Sequence, residues 1–299
     1  VSQPALGVVI PTRNRCEDLK RTLAALDRQR ELPDSFEVVV ADDGSTDATP
    51  EYLASRPRFE SFNLKSLRLS GRGPATARNR AIAASSAPRV LLLGDDTAPD
   101  EGTLALHAKG GRSFGLQGRI EWDPEAPVTS VMEFLAPAGP QFYFKHLEDG
   151  RPIPYTALLG SNLSAPTHWF RDDPFDERFP AAAFEDTELG YRWQLRGRQT
   201  LYSEKAVCRH RHHYGSIEPF LEKQRQAGEG ARYAVGRHPG MAGRTVLQPL
   251  GVGLLFSARY GLRRAAGTSR EADLWDLQAR LAFLRGLLRG NSSEPAGGA

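Results

Sequence analysis

Arg89-Val-Leu-Leu-Leu-Gly-Asp-Asp96 decides how the chain is built: an unbroken apolar run ends abruptly in a glycine and two carboxylates. A continuous rather than alternating run suits a strand buried on both faces, as in a parallel sheet covered by helices. Leu6 to Ile10, Phe36 to Ala41 and Leu67 to Leu69 read the same way. Between them lie segments with apolar residues at helical spacing, such as Leu19, Leu23 and Leu26. The first hundred residues are therefore expected to be α/β.

Punctuation supports that reading. Pro11 is expected to stop the first strand, Asp47 to cap a helix containing Tyr52 and Leu53, and Pro74 to open a helix running through Ala77 and Ile82. In an open sheet of this kind ligands gather beyond the carboxyl ends of the strands, where Thr12-Arg13, Asp42-Asp43 and Asp95-Asp96 would lie. Later strands are expected at Phe114 to Trp122, near Leu158 to Leu163 and from Thr200 to Cys208, with a helix from Glu185 through Arg196. Residues 1–215 form one catalytic domain on this reading, 216–290 a helical extension, and 291–299 a Gly/Ser-rich disordered tail.

Composition narrows the classes. The 299 residues are 40% hydrophobic, enough for a large core, and 39 basic against 36 acidic residues leave a formal charge of only +3. No strong field is available to hold nucleic acid. Two cysteines, Cys16 and Cys208, make no disulfide framework and point to a reducing, cytoplasmic setting. The start shows no signal-type apolar stretch, and no window approaches the roughly 20 apolar residues of a membrane span.

Several clusters carry chemistry. Asp95 and Asp96 supply hard oxygen ligands for Mg²⁺ or Mn²⁺, whose remaining positions water and phosphate oxygens fill; an acidic turn is the plainer alternative. A carboxylate of Asp42 or Asp43 can accept from a nucleobase or ribose. Arg78 and Asn79, after Gly71-Arg-Gly-Pro74, could meet a base or a diphosphate, or simply be a solvated basic face. Glu185 and Asp186 open a helix, where the backbone favours an ionised carboxylate able to act as a base; charge complementarity at a helix start is the alternative. His210, His212 and His213 follow a strand-like stretch, and neutral imidazole is a competent ligand for a divalent ion.

Taken in order, Val8-Val-Ile-Pro-Thr-Arg13, Ala41-Asp-Asp-Gly-Ser-Thr-Asp47, Ala77-Arg-Asn79, Leu93-Gly-Asp-Asp96 and Phe184-Glu-Asp-Thr-Glu-Leu-Gly190 resemble the motif series of family 2 glycosyltransferases with the GT-A fold. The likeness runs from about residue 6 to 215. It implies a Rossmann-like mixed sheet flanked by helices, with Pro11, Thr12, Arg13, Asp42, Asp43, Arg78 and Asp95 around the nucleoside and its ribose. It implies Asp96 as the metal ligand, completed by a histidine for which His212 is chosen, and Asp186 as catalytic base. Trp122, Phe184 and Glu185 would face the acceptor. Two departures stand out: Gly94 occupies a position often held by Asp, and Phe184 one often held by Trp.

The expected reaction is a single in-line displacement: Asp186 takes the acceptor proton, the oxygen attacks the anomeric carbon with inversion, and the nucleoside diphosphate leaves. The partners are then a nucleoside diphosphate sugar and a saccharide or lipid-linked acceptor. Mobile lids are read at Ala136-Pro-Ala-Gly-Pro140 and after His213. The apolar stretch Val246 to Tyr260, followed by Arg263 and Arg264, could rest peripherally on the inner face of a membrane or pack on the catalytic domain. Leu274, Leu277, Leu281, Leu284 and Leu288 near a heptad period suggest helix packing or a homodimer. The competing readings are a sugar-phosphate nucleotidyltransferase, which would want a glycine-rich basic loop where Pro11-Thr-Arg-Asn-Arg15 stands, and a nucleotide-sugar-binding module without turnover.

Overall fold

In the first strand, β1 (Leu6–Thr12), six of seven residues are buried because two hydrophobic layers sandwich it. Val8 and Ile10 belong to a cluster with Leu19, Leu23 and Leu26, whereas Val9 belongs to another with Ala77, Ala81 and Ile82. Alternate side chains of one continuous apolar run thus serve two cores. The computed structural model describes residues 3–30, 35–136, 139–142, 144–266, 268 and 270–289.

After β1 come α1 (Cys16–Asp27), β2 (Phe36–Asp42), α2 (Thr49–Ala54), β3 (Phe62–Arg68), α3 (Pro74–Ala84) and β4 (Arg89–Leu92). They are followed by β5 (Thr97–Pro99), α4 (Thr103–Ala108), β6 (Gly115–Trp122), α5 (Ser130–Leu135), β7 (Leu163–Pro166) and α6 (Thr167–Asp172). The chain continues through α7 (Glu185–Leu195), β8 (Thr200–His210), α8 (Glu218–Arg237), α9 (Gln248–Ala265) and α10 (Glu271–Leu288). The eight strands form one sheet in the order β3-β2-β1-β4-β7-β6-β8-β5. Its β3-β2-β1-β4 half is parallel; β7 runs antiparallel to β4 and β6, β8 parallel to β6, and β5 antiparallel to β8.

Three sequence expectations are corrected. Pro11 does not end β1, which continues to Thr12 opposite Asp42. Val9 O accepts from Leu93 N and Thr12 O from Asp43 N, so the donor that Pro11 lacks would have faced the β4 side, past the end of that short strand. Leu67 to Leu69 is only the close of a longer strand, β3, whose polar alternation hid its start. Leu158 to Asn162 is irregular, with strand beginning at Leu163, because side chains replace a ladder there: Leu159 N donates to Gln117 Oε1, while Gln117 Nε2 donates to Ser161 O.

Where β4 meets β7 the sheet changes direction around buried polar groups. Arg89 reaches Ser164 Oγ and the carbonyls of Gly111 and Phe114, and Ser164 Oγ in turn lies 2.8 Å from His107 Nδ1. Glu37, buried in β2, accepts from Ser85 Oγ, Ser86 N and Ala87 N and pairs with Lys65, fixing the approach to β4.

The chain divides into two compact units, residues 1–177 with 186–213 and residues 178–185 with 214–299. Within the second, α8 and α10 cross closely through Gly228 and Gly286: an added Cβ would fall 2.0 Å from Phe283 O or 1.9 Å from Arg225 O. Small residues and Trp275 form the packed face of α10, while Leu274, Leu281 and Leu288 are exposed, so the leucine seam is not the packing face within the chain. The lid reading at residues 136–140 falls partly, and the tail at 291–299 wholly, outside the described residues.

Candidate active site

The residues expected to border a nucleoside sit where β1 and β2 end together. Asp42 accepts from Ser45 N and pairs with Arg68, and Asp43 accepts from Arg72 N and Gly73 N, each at 2.8 Å. Both carboxylates thus shape the loops that border the strand ends. Gly44, at φ +77°, lies so near Gly71 that a Cβ would stand 3.0 Å from its backbone nitrogen, which only glycine tolerates in that conformation. The Arg13 guanidinium lies beside Gly71, and the Asn14 carboxamide accepts from Thr46 N. Asp47, one residue before the helical N-cap Ala48, accepts from Thr49 N and Cys16 N.

Beyond β4 the two acidic residues diverge. Asp95 is buried and accepts from Thr12 Oγ1 at 2.8 Å; burial first, and then the adjacent Asp96, raise its carboxyl above the usual range. Asp96 lies well below that range: burial opposes its charge, but His210, Arg15 and His212 outweigh the penalty. Its Oδ2 faces Arg15 and lies 3.4 Å from His210 Nε2. The β5–β8 pairing puts Thr97 opposite His210 and so brings the acidic dipeptide to the histidines. Trp122 and Phe142 flank the His210 ring at 5.4 and 5.2 Å, and His212 stacks on it at 5.9 Å. Trp122, read as an acceptor residue, is held by a bond from its indole to Met132 O.

Gly160 and Ser161 join this cluster to Asp186. Ser161 Oγ accepts from Gly94 N at 3.2 Å, while Gly160 N donates to Asp186 Oδ2 at 2.9 Å. A Cβ on Gly160 would stand 3.2 Å from the Arg78 guanidinium, so Arg78 borders the same loop, packed over the Phe175 ring. Asn79 instead clamps the turn at Phe175 and Glu177 from both amide ends. Asn162 supports the loop from below, in a left-handed conformation at φ 53°, donating to Arg119 O and Ala206 O. Phe184 is also left-handed, at φ 77°, and Glu185 is buried at the start of α7.

The sequence reading named neither Arg15 nor the Gly160-Ser161 pair. Arg15 could have been noticed as the extra cation after Thr12-Arg13, and Gly-Ser-Asn before an apolar run as a turn. Among the described residues no group of three or more His, Cys, Asp or Glu is arranged for a metal. One ionised carboxylate with imidazoles beside it nevertheless fits a Mg²⁺ or Mn²⁺ ion that takes most of its oxygens from water and phosphate. Gly94 leaves no room for the Asp often found at its place: a Cβ would meet Thr97 Oγ1 at 2.7 Å.

A mixed sheet whose parallel strands run out into Asp42-Asp43 and Asp95-Asp96, the second pair set against a histidine at the end of β8, is the GT-A architecture, and helices follow it. Residues 7–109 match the family model of glycosyl transferase family 2. The chain is 34% identical over 223 residues to a validoxylamine A glucosyltransferase of Streptomyces hygroscopicus subsp. limoneus, covering 65% of this chain and 49% of that protein. It is 28% identical over 260 residues to a chondroitin synthase of Escherichia coli, covering 75% and 37%. The chain thus spans about half the length, or less, of these curated relatives. The fold is similar to that of the mannosyltransferase PcManGT from Pyrobaculum calidifontis, solved with GDP-Man and Mn²⁺, at a TM-score of 0.65 and 16% identity over 96% of this chain and 88% of that one. It is also similar to S. aureus TarS 1-349 in complex with UDP, at 0.53 and 21% identity over 94% and 88%.

Proposed function

We propose that the chain transfers a sugar from a nucleoside diphosphate sugar to an acceptor hydroxyl, inverting the anomeric centre, with Asp186 as general base. The observation that carries this reading is the Gly160-Ser161 loop, whose consecutive residues touch Asp186 and the backbone of the acidic motif. Asp186 receives N–H donors on both oxygens, from Gly160 and Thr187, which orient the carboxylate that would take the acceptor proton. The carboxylates of Asp42 and Asp43, with Arg13 and Arg78, would frame the nucleoside, and Arg15, paired with Asp96, would offset charge on a leaving diphosphate.

Asp96, with His210 or His212, would hold Mg²⁺ or Mn²⁺, which when bound would neutralise charge on the departing diphosphate. The residues 1–215 carry this chemistry as one catalytic domain with the later helices as an extension.

The test is a panel of UDP, GDP and dTDP sugars with Mn²⁺ or Mg²⁺, Mn²⁺ first because the P. calidifontis neighbour was solved with it. A ligand of the native state raises the melting temperature, and NMR of the transferred sugar reads the anomer. Inversion supports the reading. Retention of configuration, or nucleotidyl transfer in place of sugar transfer, removes it.

A further inference from the structure

Between Glu229 and Glu271 the sequence contains no acidic residue, yet Arg232, Arg237, Arg244, Arg259, Arg263, Arg264 and Arg270 all fall there. The centre of that stretch is α9. Gly251, Leu255, Ala258 and Leu262 recur at helical spacing, share one face, and are all exposed. Leu255 is 73% and Leu262 72% exposed, and Leu247, just before the helix, 65%. Leucines exposed in a row rather than singly call for a partner surface.

The geometry points to an anionic lipid bilayer as that partner, with α9 lying in the plane of its interface. Among the described residues no helix is long and apolar enough to cross a membrane, so the contact is one of lying on the surface. The charge decides between occupants. Arg244 and Arg264 are exposed near the two ends of the leucine row, while Arg263 is paired with Asp273. A second copy laid against this face would bring arginines toward arginines in a stretch with no carboxylate to answer them. Lipid phosphates answer them directly. The inference concerns the second unit alone and does not depend on the reaction proposed above.

The test is co-sedimentation of the full chain with vesicles of phosphatidylcholine, or of equimolar phosphatidylcholine and phosphatidylglycerol. Binding is expected to the anionic vesicles, to weaken with salt, and to be lost in Leu255→Glu with Leu262→Glu. Arg244→Ala with Arg264→Ala is expected to weaken it roughly 30-fold, the effect of two cations near a charged surface. All four positions are exposed, and circular dichroism checks that each variant folds. Equal binding to both vesicles, binding that survives the glutamates, or a dimer by solution mass that the same glutamates dissociate would each overturn the proposal.

Discussion

Gly160 and Asp186 are joined by a 2.9 Å hydrogen bond from the backbone N–H of the first to Oδ2 of the second. The bond fixes a helix-start carboxylate to a loop rather than leaving it to sample rotamers. The neighbouring Ser161 bonds to Gly94 N, so displacement of that loop would move the acidic motif and Asp186 together.

Asp186→Asn should therefore preserve the fold and donor binding but remove the proposed base. Turnover is expected to fall by about 10²–10⁴-fold, the usual worth of general base catalysis. Steady-state kinetics beside calorimetric titration of the nucleoside diphosphate would check this; comparable turnover would exclude Asp186 from the role.

Gly94→Asp installs the residue often found there in the family, and is expected to impair this chain. The new Cβ would meet Thr97 Oγ1 at 2.7 Å and Asp96 Oδ1 at 3.1 Å, so both side chains would have to shift. Overpacking of this kind costs about 1–3 kcal/mol, readable in urea unfolding, and activity should fall alongside.

His107 gives the fold a pH dependence. Wholly buried between Ser164 Oγ and Asn162 Oδ1, it has its imidazole pushed down to about 3 by burial. The unfolded chain takes up that proton near pH 6.5, so the stability associated with the neutral ring is full above that pH. It is lost progressively as pH falls toward 3, with a slope approaching about 1.4 kcal/mol per unit. Denaturant titrations across pH 4–7 should show that slope in the wild type and a shallower one in His107→Gln.

Much of this site could be read before any coordinates, for a physical reason. Strands buried on both faces leave unbroken apolar runs, and polar clusters at their ends are then set by sheet direction; Asp42, Asp43, Asp95 and Asp96 fall there. The Gly160-Ser161 bridge was not legible because its contacts are largely through backbone N–H groups, which have no compositional signature. Arg15 escaped for another reason: nothing local says that a cation after β1 reaches a carboxylate after β4. Nor does a leucine period reveal that the packed face of α10 is built of alanine, glycine and one tryptophan.

The three-residue strand β5 has one consequence for synthesis. Its ladder partner is the far end of β8, and its flanking Asp100 pairs with Arg209, 109 residues downstream. A nascent chain emerging from the ribosome at about 5–20 residues per second exposes Asp95 and Asp96 well before the histidines that meet them. Stalled intermediates ending before residue 200 should gain the parallel strands without a finished acidic pocket, so the site would close only when the last strand is in place.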